Sequence, residues 1–211
     1  NLKMQIIAIS DTHGKHRDLI IPDGDVLVHA GDISSRGTKQ QVIDFLEWFV
    51  EQNHAHKIFI AGNHDFLFEQ AEFDEISRII PDGIMYLNDS SVVINGFKFW
   101  GSPITPWFNN WAFNRDRGAD IKKHWDLIPN DTDVLITHGP PGGILDQTFY
   151  GKRTGCEDLL SRVHQVKPKY HIFGHIHEQY GNVTKAETAF VNASVLDDWY
   201  EMKNNPIILN L

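Results

Sequence analysis

Five short apolar runs in this chain each end at a glycine or a polar turn, and side chains of metal-ligand type stand just beyond every one of them. Asp11 and His13 follow residues 5–10, Asp32 follows 26–30, Asn63 follows 57–61, His138 follows 134–137, and His175 with His177 follows 170–173. Runs this short and this rich in Ile and Val read as buried strands. In open α/β sheets ligands gather outside the carboxyl ends of such strands, so seven side chains far apart in sequence are expected to converge on one sheet edge.

The segments between the runs fit such a fold. Val42, Phe45, Leu46 and Phe49 recur at spacings of three and four, which puts one apolar stripe on a helix over 40–51 and gives the first half a βαβ rhythm. From 86 to 101 the pattern changes to short alternating runs broken by Asn95-Gly96. That dipeptide is a strong hairpin signal and implies a second, partly antiparallel sheet. Helices are expected over 119–126 and 156–166, the latter stopped before Pro168, with further short strands near 180–184, 189–192 and 207–210. The expected class is α/β, two packed mixed β-sheets flanked by helices.

Composition narrows the function. The 211 residues are 41% hydrophobic without a low-complexity tract, so one domain over 1–211 with a full core is expected. A formal net charge of -9 argues against a grip on long nucleic acid, which relies on Lys and Arg at phosphates. Lys122-Lys123 and Lys152-Arg153 read either as solvated surface or as local anion contacts. Cys156 is the one cysteine, so no intrachain disulfide forms and a reducing compartment fits. Asn1-Leu2-Lys3-Met4 leads straight into the first run without room for a signal peptide, and no apolar stretch spans a bilayer. A cytoplasmic location with no membrane partner is the expectation. Nothing in the sequence sets the oligomeric state.

The donor set is four imidazoles, two carboxylates and an amide: His13, His138, His175, His177, Asp11, Asp32 and Asn63. A single zinc uses three or four protein ligands, whereas two ions sharing a bridging carboxylate use seven. Two divalent ions against only Asp11 and Asp32 leave a net positive site, which attracts phosphate and acidifies a bridging water. Taken singly, each motif is as well explained by a cap or a core histidine. Five strand ends at once are not. Donors without thiolate suit two divalent or mixed-valence transition-metal ions, with manganese, iron or zinc expected first and cobalt or nickel also compatible.

The series Asp11-Thr12-His13, Gly31-Asp32, Gly62-Asn63-His64-Asp65, Thr137-His138-Gly139 and Gly174-His175-Ile176-His177 resembles that of the calcineurin-like metallophosphoesterases in order and spacing. Stretches such as Trp100-Gly101-Ser102-Pro103, Pro106-Trp107-Phe108 and Thr137-His138-Gly139-Pro140-Pro141 resemble the metallophosphoesterase-domain-containing family, which is grouped with the class III cyclic nucleotide phosphodiesterases. The resemblance covers nearly the whole chain and implies a four-layer αββα sandwich. It implies one metal held by Asp11, His13, Asp32 and His177, and a second by Asp32, Asn63, His138 and His175, with Asp32 bridging. It further implies in-line attack on phosphorus by a metal-bridging hydroxide, while His64 contacts the phosphoryl group or protonates the leaving oxygen.

Some positions depart from the pattern. Protein phosphatases of the superfamily carry an Asp three residues after the bridging Asp, followed by Arg-Gly, and that Asp partners the catalytic His. Here Ser35 stands there, followed by Arg36-Gly37. Ser35 supplies no carboxylate, which argues against a protein phosphatase and for a weaker acid role of His64. Arg36 is a candidate phosphate contact or a plain surface residue. Asp65 is either a helix N-cap before 66–70 or a support for His64 and the ligands. Some nearer relatives have Gly at the first His of the Gly-His-x-His motif; His175 is present here, which favours an active enzyme.

The loop 106–113 is unusually aromatic. Trp107 and Asn109 are candidate substrate contacts, on a platform where a base stacks, or the rings merely fasten the loop. His29 is read either as orienting a ligand or as a core histidine; His16, His54, His56, His124, His164 and His171 are assigned to the surface. The expected function is a dinuclear phosphodiesterase for small phosphodiesters such as cyclic nucleotides. The alternatives are a nucleotide-binding regulatory module with negligible turnover and a phosphomonoesterase.

Overall fold

The computed structural model describes residues 4–211, so the expected lead from residues 1–3 into the first strand lies outside the described residues. The chain forms β1 (Gln5–Ile9), β2 (Val26–His29), α1 (Lys39–Glu51), β3 (His56–Phe59), α2 (Phe66–Gln70), α3 (Phe73–Ile79), β4 (Ile84–Tyr86), β5 (Ser90–Ile94) and β6 (Phe97–Ser102). A two-residue pair, β7 (Thr105–Pro106) and β8 (Asn114–Arg115), precedes α4 (Ala119–Trp125) and β9 (Val134–Thr137). Then come α5 (Glu157–Val166), β10 (Tyr170–Phe173), β11 (Gly181–Lys185), β12 (Thr188–Asn192) and β13 (Ile207–Asn210). Among the described residues, no helix is long and apolar enough to cross a membrane.

The first sheet runs β13-β1-β2-β3-β4, with β1 to β4 parallel and β13 antiparallel to β1. The second runs β11-β12-β10-β9-β6-β5, with four parallel inner strands and two antiparallel edges. Strands buried on both faces need apolar residues at every position rather than at alternate ones. In β1, Ile6 and Ala8 pack between the sheets with Val28, Ile58, Ile136 and Ile172, while Ile7 and Ile9 join the helix-side cluster with Phe45 and Phe49. The rings of Phe45 and Phe49 on α1 meet Phe59 of β3 at 5.7 and 6.2 Å between centroids. Trp125 of α4 and Leu159 and Val163 of α5 belong with Leu135 and Phe173. Two mixed sheets flanked by helices, as expected, make the layers αββα.

Asn95 and Gly96 form the two-residue β5-β6 turn with φ of 50° and 87°, the pair of left-handed conformations a type I′ turn requires. Three features escape the sequence reading: α3, the short pair β7 and β8, and β4 as a parallel edge of the first sheet. Each is too short for a period to show. The helix over 66–70 is present, but Asp65 makes no side-chain cap there. At the carboxyl ends of the strands the two sheets meet, through a parallel bridge between Ser10 and Ser194 and a hydrogen bond from Val195 N–H to the Ser10 carbonyl at 3.0 Å.

Candidate metal centre

That meeting edge brings all seven expected ligands together. Donor atoms of Asp11, His13 and His177 lie within 4.8 Å of one another, as do those of Asp32, His138 and His175. Asn63 joins the second group, with Oδ1 2.8 Å from His138 Nε2. Asp32 faces both: Oδ2 is 3.6 Å from His13 Nε2 and 3.3 Å from His138 Nε2. Across the first group, His177 Nε2 is 3.3 Å from His13 Nε2 and 3.4 Å from Asp11 Oδ1.

The backbone is bent to achieve this. Asp11, His13, Asp32 and His175 all have positive φ, at 56°, 45°, 54° and 69°, a region that costs a non-glycine residue about 1–3 kcal/mol. A strand that stops and turns sharply places the next side chain over the sheet edge rather than on a face. Two glycines make room: a Cβ at Gly31 would fall 2.6 Å from His138 Nδ1, and one at Gly174 would collide with Asp11 Oδ2 and Ser10 Oγ.

Main-chain carbonyls orient the imidazoles. His138 Nδ1–H donates to the Ala30 carbonyl and His177 Nδ1–H to the Asp197 carbonyl, both at 2.9 Å, which turns each Nε2 inward, as metal-binding histidines usually require. Asp11 Oδ2 accepts from His175 N–H at 2.9 Å and Ser194 Oγ–H at 3.0 Å. Its Oδ1 is buried with no hydrogen-bond partner among the described residues. A buried carboxylate oxygen left so is costly unless a cation meets it. Asp32 Oδ1 accepts the His64 main-chain N–H at 2.8 Å, leaving Oδ2 to face both donor groups.

The titration behaviour says the same. Burial opposes a charge on His138, yet Asp32 beside it pushes its pKa up to about 10. Burial is likewise outweighed at His177, where Asp11 raises it to about 9. Burial pushes His13 and His175 down to about 4. Asp11 and Asp32 are held below the usual carboxylate range against their burial, Asp11 chiefly by His177 and Asp32 chiefly by His138. Two deeply buried carboxylates thus demand positive charge, and the donor set is of the kind that two divalent ions satisfy.

His64 stands close beside the donors, its donor atom within 4.8 Å of those of His13 and Asp32. Its Nε2 is 4.0 Å from Asp32 Oδ2, and its Nδ1–H donates to the main-chain carbonyl of Ser35 at 2.9 Å. The loss of a carboxylate at position 35 therefore does not leave the ring without a partner; the backbone supplies one, which residue identity does not reveal. In front lies a cleft of about 600 Å³ lined by His13, Asp32, Asn63, His64, His175 and His177, with Trp107 and Phe108 among its outer walls. Arg36 and Asn109, expected near the substrate, do not line it. The Arg36 main-chain N–H is tied to Gln41 Oε1 at 3.0 Å and its side chain is exposed, and Asn109 is an exposed turn residue with φ of 48°.

At Asp65 and His29 the structure selects between the two expected roles, and at three histidines it overturns the surface assignment. Asp65 accepts from the N–H groups of Gly62, Ile33 and Ser34 at 2.8, 3.1 and 3.0 Å, and from Ser34 Oγ–H at 2.6 Å. It braces the turns that carry Asp32 and Asn63 instead of capping α2. His29 accepts from Gly31 N–H at 3.2 Å and lies 2.9 Å from Thr12 Oγ1, so it is a core histidine that also supports the ligand turns. His16, His54 and His171 are buried rather than at the surface, with His16 3.1 Å from Asp44, His54 3.0 Å from the Pro22 carbonyl and His171 2.8 Å from Thr137 Oγ1. Ser194, missed from the sequence, follows the end of β12 and was open to detection by the same strand-end rule.

Residues 4–179 match the calcineurin-like phosphoesterase family. The chain belongs to that family. The calcineurin-like phosphoesterase here is 40% identical to human metallophosphoesterase domain-containing protein 1, over 98% of this chain and 71% of that protein. It is 39% identical to a UPF0046 protein of Caenorhabditis elegans, over 97% of this chain and 74% of that one. Among solved structures, a phosphopantetheinyl hydrolase from Mycobacterium tuberculosis is similar in fold, with a TM-score of 0.67 at 16% identity, over 98% of this chain and 95% of that one. Calcineurin-like phosphoesterases use a dinuclear metal centre, and the protein is a metal-dependent phosphoesterase, a hydrolase.

Proposed function

We propose that the protein is a phosphodiesterase for small diesters, cyclic nucleotides among them, working with two transition-metal ions of the manganese, iron or zinc type. The observation that carries this reading is His64 lining the cleft with Nε2 4.0 Å from Asp32 Oδ2; it is near enough to His13 and Asp32 to join a metal site, but the seven other donors make two full sets without it. Asp11, His13, Asp32 and His177 would hold one ion, and Asp32, Asn63, His138 and His175 the other. The ions would supply Lewis acidity, neutralising the phosphoryl oxygens and lowering the pKa of water. His64, steadied through Nδ1 by the Ser35 carbonyl, donates from Nε2 to the phosphoryl group or to the leaving oxygen.

The charge around the cleft favours a monoanionic diester. Of the three lining cations, Arg153 is paired with Asp146 at 2.8 Å and Arg117 donates to the Gly155 and Thr154 carbonyls at 2.7 and 2.9 Å, which leaves Lys152 as the one whose side chain has no partner among the described residues. Arg36, a guanidinium suited to clamping a dianionic phosphate, does not line the cleft. Trp107 and Phe108, more than half exposed, offer apolar faces to the substituents on phosphorus. The buried Cys156 suits a reducing cytoplasm.

The test compares metal-loaded protein on matched aryl mono- and diesters, then repeats both with Asp32→Ala and His138→Ala. Faster diester turnover that both variants abolish is the expected result. A monoester preference overturns the diesterase reading. Tight nucleotide binding with no turnover on either ester would instead make the protein a regulatory module.

A further inference from the structure

His64 has a neighbour that neither its motif nor the family assigns to it. The indole of Trp111 lies against the imidazole with centroids 4.2 Å apart and planes 26° from parallel. His13 meets the same ring edge-on, at 4.6 Å and 81°. A ring tethered only by Nδ1–H to the Ser35 carbonyl keeps freedom to swing about that bond, and an indole against its face removes it. The indole is itself held firmly. The Trp111 main-chain N–H donates to the Phe108 carbonyl at 3.2 Å, and the indole ring tilts onto Phe66 at 5.9 Å. The two residues after it are buried and tied to the segment that carries His64: Ala112 N–H donates to the Asn63 carbonyl at 3.1 Å, and Phe113 N–H to Glu69 Oε1 at 2.8 Å. The aromatic loop thus divides its work. Trp107 and Phe108 form outer walls of the cleft, while Trp111, which also lines it, joins Ala112 and Phe113 in clasping the Asn63-His64 turn.

We infer that Trp111 is the positioning residue for His64, fixing the imidazole plane so that Nε2 is aimed at the leaving oxygen of the ester. The inference rests on the proposed role of His64 at the leaving group. In that step water provides the oxygen that bonds to phosphorus, and the P–O bond to the leaving group breaks. Its electron pair stays on the leaving oxygen, which takes the Nε2 proton; the proton given up by the attacking water passes to solvent, and solvent returns one to His64. A misaimed ring harms most the substrates whose leaving oxygen most needs that proton.

Trp111→Leu and Trp111→Phe, alone and combined with His64→Ala, are assayed on a nitrophenyl diester, which departs readily as the anion, and on an unsubstituted phenyl diester, which does not. Trp111→Leu is expected to lower kcat on the phenyl ester about tenfold or more with KM within about twofold, to cost less than about threefold on the nitrophenyl ester, and to add nothing in the His64→Ala background. Trp111→Phe restores most of the loss. Equal losses on both esters, or an undiminished further loss in the absence of His64, overturns the inference. A second arm needs no turnover: carbon-proton NMR of the His64 ring, assigned with His64→Ala. A ring-current displacement in the wild type that collapses in Trp111→Leu supports the stack as the device that holds the ring. Unchanged resonances overturn it. If the wild type cleaves neither ester, the proposed function fails on its own and this second arm decides the positioning.

Discussion

Residue identities revealed the donors but not what holds them. Asp11, His13, Asp32, Asn63, His138, His175 and His177 were legible because each follows an apolar run, and chemistry of this kind collects at strand ends. His138 and His177 are held by the main-chain carbonyls of Ala30 and Asp197, and His64 beside them by that of Ser35, groups that every residue carries and no sequence marks. Ser35 shows the consequence. Its carbonyl, not its hydroxyl, partners His64, so Ser35→Ala is expected to leave turnover within about twofold, a difference of about 0.4 kcal/mol; a loss of a hundredfold would return the role to the side chain. Asp65 shows the opposite. Three main-chain N–H groups and a hydroxyl converge on it, burial together with Asp32 pushes its pKa up to about 6, and Asp65→Ala leaves those donors buried and unmet. Urea unfolding is expected to show a loss of about 3–5 kcal/mol.

At the scale of elements, agreement follows length and chemistry. The strands over 134–137 and 170–173 fall where their apolar runs place them, because a strand buried on both faces needs an unbroken run. The β5-β6 turn was legible for a different reason: Asn and Gly tolerate positive φ cheaply. Gly96 has open space around it, so Gly96→Ala adds only backbone strain. Thermal unfolding is expected to report a cost of about 1–2 kcal/mol. The positive φ values at Asp11, His13, Asp32 and His175 are the converse case, conformations these residue types do not announce, imposed by the turn that carries a ligand over the sheet edge. The buried histidines were misread likewise. His171 lies within β10 and is fully buried, with Nε2 on Thr137 Oγ1, in a strand whose polar member is tolerated because a hydroxyl meets it.

For the whole molecule, buried imidazoles set the response to acid. Burial pushes His29 and His171 down to about 3, whereas an unfolded chain protonates histidine near 6.5. Between those values the unfolded chain binds protons that the native one refuses, so stability falls as pH drops below about 6.5, by about 1.4 kcal/mol per pH unit for each such group. His171→Gln, which keeps an N–H for Thr137, is expected to remove one group's share of that slope in urea titrations at several pH values. An unchanged slope would mean that His171 is not neutral in the fold.

The centre responds to metal by the same linkage. Asp32 and Asp11 push His138 and His177 up to about 10 and about 9, and an imidazole must give up its Nε2 proton to become a ligand. Loading near pH 7.5 is therefore expected to release about two protons per chain into weak buffer, read with an indicator dye. The central claim, that two ions share Asp32, is tested most directly by counting bound metal after reconstitution and desalting, in the wild type and in Asp32→Ala. The account predicts two ions per wild-type chain and at most one in the variant. Two ions retained without Asp32, or a single ion in the wild type, would contradict it.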